Sequence, residues 1–194
     1  MNAATLRIRR YRPGDGDRVR ELNREAMAET PEWVPEAPDE DLLDVCGHYL
    51  DAGGEFLVGE VDRRKTSIQA SVTGREQGET ADPESDARVV ATGAYEPLDG
   101  WMAEQFEATA GTAELSRIRV EPEMQGRGFA TRIVEELERR ARRAGYRAFV
   151  LNTGAGNDRA RGFYESLGYA CVGETTVEFE GATLNLALYW SRLD

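Results

Sequence analysis

One stretch constrains this chain more than any other. It runs from Glu114-Leu-Ser-Arg-Ile-Arg-Val120 through Glu-Pro-Glu-Met-Gln-Gly-Arg-Gly128 into Phe129 and beyond. Residues 115–120 read as an apolar strand. A proline and two closely spaced glycines then break the chain. After the break, Ala130, Ile133, Val134, Leu137, Ala141 and Ala144 recur at helical spacing, and Gly145 stands where a helix ends. Residues 147–153 read as the next strand. This strand–turn–helix–strand run calls for a parallel βαβ centre, with a helix laid across a sheet.

The turn also carries chemistry. Glycines let backbone N–H groups approach a ligand closely. At a helix N-terminus those N–H groups are unpaired and lie at the positive end of the helix dipole, which suits a phosphate. Three phosphate loops compete for the pattern. A P-loop needs a lysine after its glycine, and none follows here. A dinucleotide fingerprint needs a small third residue, and Thr131 stands in its place. The pattern Gln/Arg-x-x-Gly-x-Gly/Ala is met in full by Gln125-Gly-Arg-Gly128-Phe-Ala130.

That loop resembles the acyl-coenzyme A pyrophosphate loop of the GNAT superfamily of N-acetyltransferases. A second block strengthens the resemblance: Asn157-Asp-Arg-Ala160-Arg-Gly-Phe163-Tyr164-Glu-Ser-Leu167-Gly168-Tyr169 follows the family shape Asn-x-x-Ala-x-x-x-Tyr-x-x-x-Gly-Phe/Tyr. The resemblance covers about residues 89–169. It implies an α+β fold, sandwich-like, with a central mixed, mostly antiparallel sheet, a splayed central strand pair and helices on both faces.

The 194 residues are expected to form a single domain. There is no run of 18 apolar residues and no signal-peptide stretch at the N-terminus, so a cytoplasmic protein is expected. Cys46 and Cys171 are too few for a disulfide framework, and the lone histidine, His48, cannot build a metal site; no metal is expected. Asp and Glu number 36 against 24 Lys and Arg, and Lys65 is the sole lysine. Such a surface disfavours nucleic acid as a partner and attracts amines. It also suits a salt-loaded, halophilic-type cytoplasm.

Along the chain, residues 5–9 read as a strand, a helix follows through residue 28, and residues 39–50 read as a second helix with Leu42, Leu43, Cys46 and Leu50 on one face. Residues 55–62 and 88–96 read as strands. Residues 67–73 read as an extension of the first of these or the start of a hairpin. Residues 74–87 lack any large apolar residue and read as a flexible insertion. A helical turn is expected within residues 101–111. Three i,i+4 pairs are expected on the long helix: Glu135–Arg139, Glu136–Arg140 and Glu138–Arg142. A final hairpin spans residues 169–192 and offers an edge for a homodimer.

Acetyl transfer to an amine requires a held cofactor, a polarised thioester, a deprotonated amine and a proton for the leaving thiolate. A lysine-like ammonium has a pKa of about 10.4 and no lone pair, and a thiol has a pKa of about 8.5. By the resemblance, acetyl-coenzyme A is the cosubstrate, bound by Gln125, Gly126, Arg127, Gly128, Phe129, Ala130 and Thr131. Ile118, Arg119 and Val120 bond its pantetheine arm and polarise the thioester. Asn157 contacts the arm, caps the next helix, or does both. Tyr164 matches a tyrosine that protonates the thiolate in many members, and otherwise reads as a core aromatic beside Phe163. Glu114 reads as the base or as a solvated strand-end carboxylate. Residues 30–40, with Glu32, Trp33, Glu36, Asp39 and Glu40, match the substrate-covering segment. His48 reads as structural or solvated, and the cysteines as small core residues. The expected acceptor is a primary amine on a small molecule, a protein N-terminus or a lysine. The competing functions are transfer of another acyl group, a non-catalytic acyl-coenzyme A sensor, and a dinucleotide oxidoreductase disfavoured by Thr131.

Overall fold

A computed structural model describes residues 5–30, 39–62, 87–106, 110–179 and 181–194. The expectations for Glu32, Trp33 and Glu36, for residues 67–73, and for an insertion over residues 74–86 lie outside the described residues.

In chain order the elements are β1 (Arg7–Arg10), α1 (Gly16–Met27), β2 (Glu55–Asp62), β3 (Ala87–Pro97), α2 (Gly100–Gln105), β4 (Thr112–Val120), α3 (Phe129–Ala144), β5 (Ala148–Gly154), α4 (Asp158–Ser166), β6 (Ala170–Phe179) and β7 (Ala182–Arg192). The strands form one sheet in the order β1-β2-β3-β4-β5-β7-β6. Neighbours are antiparallel except β4 and β5, which are parallel because α3 carries the chain back between them.

Alternation sends the strand side chains to two separate cores. On one face Leu57, Leu115, Phe149, Leu151 and Tyr189 pack with Ile133, Val134 and Leu137 of α3 and, at its edge, with Phe163 and Tyr164 of α4. On the other, Phe56, Val58 and Ala94 pack with Val19 and Leu22 of α1 and with Tyr49. Met102 of α2, Val150 and Leu188 form a smaller cluster. Gly93 permits the close approach of α3: a Cβ there would collide with Ile133 and come within 2.7 Å of Ile118 Cδ1.

Several expectations are corrected. Residues 39–50 are not one helix. A 3-10 turn, Glu40–Leu42, is followed by a π turn, Cys46–Leu50, and Leu43 points to solvent at 72% exposure. Asp39 and Asp41 are drawn into ion pairs with β4, and that demand outweighs the weak helical periodicity. On α3, Glu136–Arg140 forms at 2.8 Å and Glu138–Arg142 at 3.7 Å, while Arg139 turns to Glu136 instead of Glu135. Cys171 is exposed beside a register shift in β6, where Val172 is the unpaired residue. Among the described residues, no helix is long and apolar enough to cross a membrane. Nor are any three His, Cys, Asp or Glu side chains grouped to hold a metal.

Candidate active site

The central strand pair opens after a short zip. β4 and β5 are paired from Thr112 with Ala148 to Glu114 with Val150, and no further. β4 then runs on to Val120 and β5 to Gly154 with their facing edges apart. Unpaired strand edges carry free N–H and C=O groups, here directed into a cleft. The cleft has a volume of about 1920 Å³, well beyond the ~300–1,000 Å³ of most small-ligand pockets, which suits a long ligand with two parts.

A bulge in β4 shapes its inner end. The register with β3 shifts between Thr92 and Ala94, and Arg117 takes φ +56°, left-handed for a residue that is not glycine. Thr92 Oγ1 donates to the Arg117 carbonyl at 2.9 Å and holds the kink. The Arg117 side chain forks onto Asp41, with Nε donating to Oδ2 at 2.8 Å, and onto Asp39 at 2.7 Å. Arg119 donates to Asn23 Oδ1 at 3.0 Å and to the Ile118 carbonyl at 3.0 Å. The extra residue resets the alternation. Glu114, Ser116, Arg117 and Arg119 therefore face the α1 side, while Ile118 joins the α3 core.

At the outer end the chain passes a 3-10 turn, Pro122–Met124, and enters the glycine loop. Gly126 has φ +72° and Gly128, the N-cap of α3, has φ +75°, with open space where side chains would stand. These conformations cost other residues about 1 kcal/mol or more, so glycine is required by the backbone. They leave the first-turn amides of α3, at Phe129, Ala130 and Thr131, without intrahelical acceptors beside the cleft. Gln125 plays a structural part. Its Nε2 donates to the Val120 carbonyl at 3.1 Å, and its oxygen accepts from Arg159 of α4, so the loop is tied to both flanks. Arg127 is exposed and reaches back toward the Glu123 carbonyl at 3.4 Å. Asn157 caps α4, accepting from the Ala160 N–H at 3.0 Å.

Two titratable groups line the cleft from opposite sides of the sheet. Tyr164 sits among Phe163, Tyr169 and Tyr189 at centroid distances of 5.1, 5.8 and 6.2 Å. Burial pushes its phenol up to about 12, against the opposing pull of Arg119. Glu114 stands where β4 and β5 part. Burial first, and then Glu96 across the β3–β4 pair, raise its carboxyl to about 7. Glu96 is itself raised by burial and by Asp41, and it pairs with His48, Nε2 to Oε2 at 3.0 Å. Asp41 stays below the ordinary range, because Arg117 and the Tyr49 hydroxyl outweigh its burial.

The cleft thus brings together Glu114, the backbone of residues 118–120, the loop residues other than Arg127, Asn157 and Tyr164. Sequence reasoning assigned no role to Glu96, Asp41 or Arg117 and left His48 as structural or solvated; the structure sets His48 against Glu96 and Arg117 against Asp41. Glu96 was legible only through the strand register. His48 was legible only through the π turn that aims it.

Comparisons agree with this architecture. A protein of Salmonella typhimurium, described provisionally as an acetyltransferase and solved with its cofactor acetyl-CoA, superposes with TM-score 0.68 at 21% identity, over 100% of this chain and 95% of that one. An N-acetyltransferase from Staphylococcus aureus Mu50 superposes with TM-score 0.68 at 18% identity, over 98% and 100%. An acetyltransferase from Streptococcus agalactiae 2603 does so with TM-score 0.68 at 17%, over 99% of both chains. No curated protein matches. The model of the acetyltransferase (GNAT) family matches residues 19–169, the span that holds the split strands, the glycine loop and Tyr164, and the chain belongs to that family.

Proposed function

We propose that the protein transfers the acetyl group of acetyl-coenzyme A directly to a primary amine in a ternary complex. The observation that carries the reading is the gap between β4 and β5, open beyond Glu114 and flanked by the amide-rich start of α3. The diphosphate would be met by the N–H groups of residues 126–131, which supply partial positive charge without a metal. The pantetheine arm would lie along the unpaired edge of β4 and add to it as a strand does, with the groups of residues 118–120 as partners. Backbone N–H groups there are suited to stabilising negative charge on the thioester oxygen. The Asn157 oxygen already serves as a helix cap, so its part is to fix the start of α4 beside the arm.

Two protons must be handled. The acceptor arrives as an ammonium, and Glu114, with its carboxyl near 7, is ionised enough at neutral pH to take the first. The free amine then attacks the thioester carbon. As the tetrahedral adduct collapses, the coenzyme A thiolate takes a proton from Tyr164 and the second nitrogen proton passes to the Tyr164 phenolate, so the phenol is restored within the same turnover. A phenol held near 12 stays protonated until needed. The balance is one ammonium and one acetyl thioester in; one amide, one thiol and one proton out.

Calorimetry with acetyl-coenzyme A, and separately with NADH, tests the reading. Micromolar binding of acetyl-coenzyme A that Gly128→Glu abolishes, followed by thiol release in a primary-amine screen, is expected. Binding without turnover across the screen would favour an acyl-coenzyme A sensor. Tighter binding of a longer acyl-coenzyme A would shift the donor. No coenzyme A binding would remove the reading.

A further inference from the structure

The proposed reaction releases one proton per turnover, and Glu114 is half-buried at the inner end of the cleft. A base in that position must discharge before the next acceptor enters. The β3–β4 register sets Glu96 directly opposite Glu114, on the same face of the sheet. His48 Nε2 lies 3.0 Å from Glu96 Oε2. Side-chain exposure rises outward, from 25% at Glu96 to 44% at His48.

The local backbone is built to hold this line. His48 lies in a π turn, a rare conformation that changes where a side chain points. Gly54 closes the segment that follows: a Cβ there would collide with the Tyr95 carbonyl and lie 2.9 Å from the Tyr49 carbonyl. The turn is thereby seated on β3 next to Glu96. The His48 ring stacks edgewise on Tyr49 at 4.7 Å, and Tyr49 is fixed by its 2.6 Å hydrogen bond to Asp41. The charged groups facing Glu96 are His48, Asp41, Arg117 and Glu114. Arg117 is committed to Asp39 and Asp41, so the His48 imidazole is the group on Glu96 that leads toward solvent.

We propose that Glu96 and His48 form the exit path for the acceptor's proton, running from Glu114 to Glu96 to His48 to water. This rests on the acetyl-transfer reading above. Glu114 takes the proton from the ammonium and passes it to the Glu96 carboxylate. Glu96 passes it to the His48 ring, and His48 delivers it to solvent, so all three return to their starting states. Glu96 and His48 are positioning and relay residues; neither touches the reacting atoms.

A matched pair of acceptors separates relay from scaffold. The alkylamine identified in the screen arrives as an ammonium. Its β,β,β-trifluoro analogue arrives as the free amine, and its acetylation releases no net proton. For Glu96→Gln and His48→Ala, kcat with the alkylamine is expected to fall about tenfold or more relative to the trifluoro analogue. Added imidazole should restore part of the rate in His48→Ala and none in Glu96→Gln. Equal losses with both amines, or no imidazole rescue, would overturn the path while leaving acetyl transfer in place. Wild-type protein that acetylates neither amine would instead overturn the acetyl-transfer reading, and the path with it.

Discussion

Replacing Glu114 by glutamine should make the protein less active and more stable, and the stability gain should depend on pH. The carboxyl of Glu114 is raised from 4.5 to about 7, by burial first and by Glu96 second. At about 1.4 kcal/mol per pH unit, that displacement is about 3 kcal/mol. The sign follows from proton counting. Between pH 4.5 and 7 the native state keeps a proton that the unfolded chain has lost, so stability falls as pH rises through that window. Above it, the native protein carries the full cost of a desolvated carboxylate facing another. Glutamine is neutral and nearly isosteric, so it carries none. Around pH 4 the two proteins should therefore unfold alike, and at pH 8 Glu114→Gln should be more stable by at most about 3 kcal/mol, less to the extent that water in the open cleft screens the charge. Glu96→Gln should yield part of the same gain, because Glu96 is the second cause. Urea unfolding of the three proteins at both pH values measures this directly. An identical difference at pH 4 and pH 8 would refute the claim that Glu114 is an ionised, desolvated base in the resting protein.

The remaining predictions concern catalysis and the frame around it. Wild-type kcat/KM for an alkylamine should rise with pH through about 7 as Glu114 ionises, and a profile flat from pH 6 to 8 would exclude it as the base. Tyr164→Phe should lower kcat by about 10²–10³-fold with acetyl-coenzyme A affinity nearly unchanged, as read by pre-steady-state thiol release and calorimetry. Gly128→Ala should cost about 1 kcal/mol in thermal unfolding, from its left-handed backbone, and weaken coenzyme A binding. Arg117→Ala should destabilise by about 3 kcal/mol, because Asp41 is left partly buried without its guanidinium, and pairing it with Asp41→Asn should recover part of the loss.

The long α3 was legible in the sequence to its end residues, because a strong 3.6-residue stripe, Gly128 and Gly145 all mark the same boundaries. The loop was legible because positive φ selects glycine and leaves a trace in residue identity. The segment from Asp39 to Leu50 was not. Its apolar spacing fits a helix, but its backbone answers to Arg117, 76 residues away from Asp41 in the chain, and no local pattern records that partner. The side-chain partners of Gln125 were hidden for a similar reason: Val120 and Arg159 meet its amide only once the chain has folded.

The same distinction explains why the surroundings of Glu114 were the hardest to read. Glu114 in isolation is a strand-end carboxylate like many others in a chain with 36 acidic residues. What makes it chemically different is the β3–β4 register, which sets Glu96 against it, and the parting of β4 from β5, which leaves it lining a cleft. The bulge at Arg117 acts further along the strand, beyond Ser116. Without the extra residue, Arg119 would face the α3 core and Ile118 the cleft, since one residue of slip exchanges the two faces of a strand. The bulge is also where β4 carries its left-handed residue and its heaviest load of ion pairs. The bulge therefore fixes which groups of residues 117–120 meet the cleft, while the unbroken register on its near side places Glu114 against Glu96.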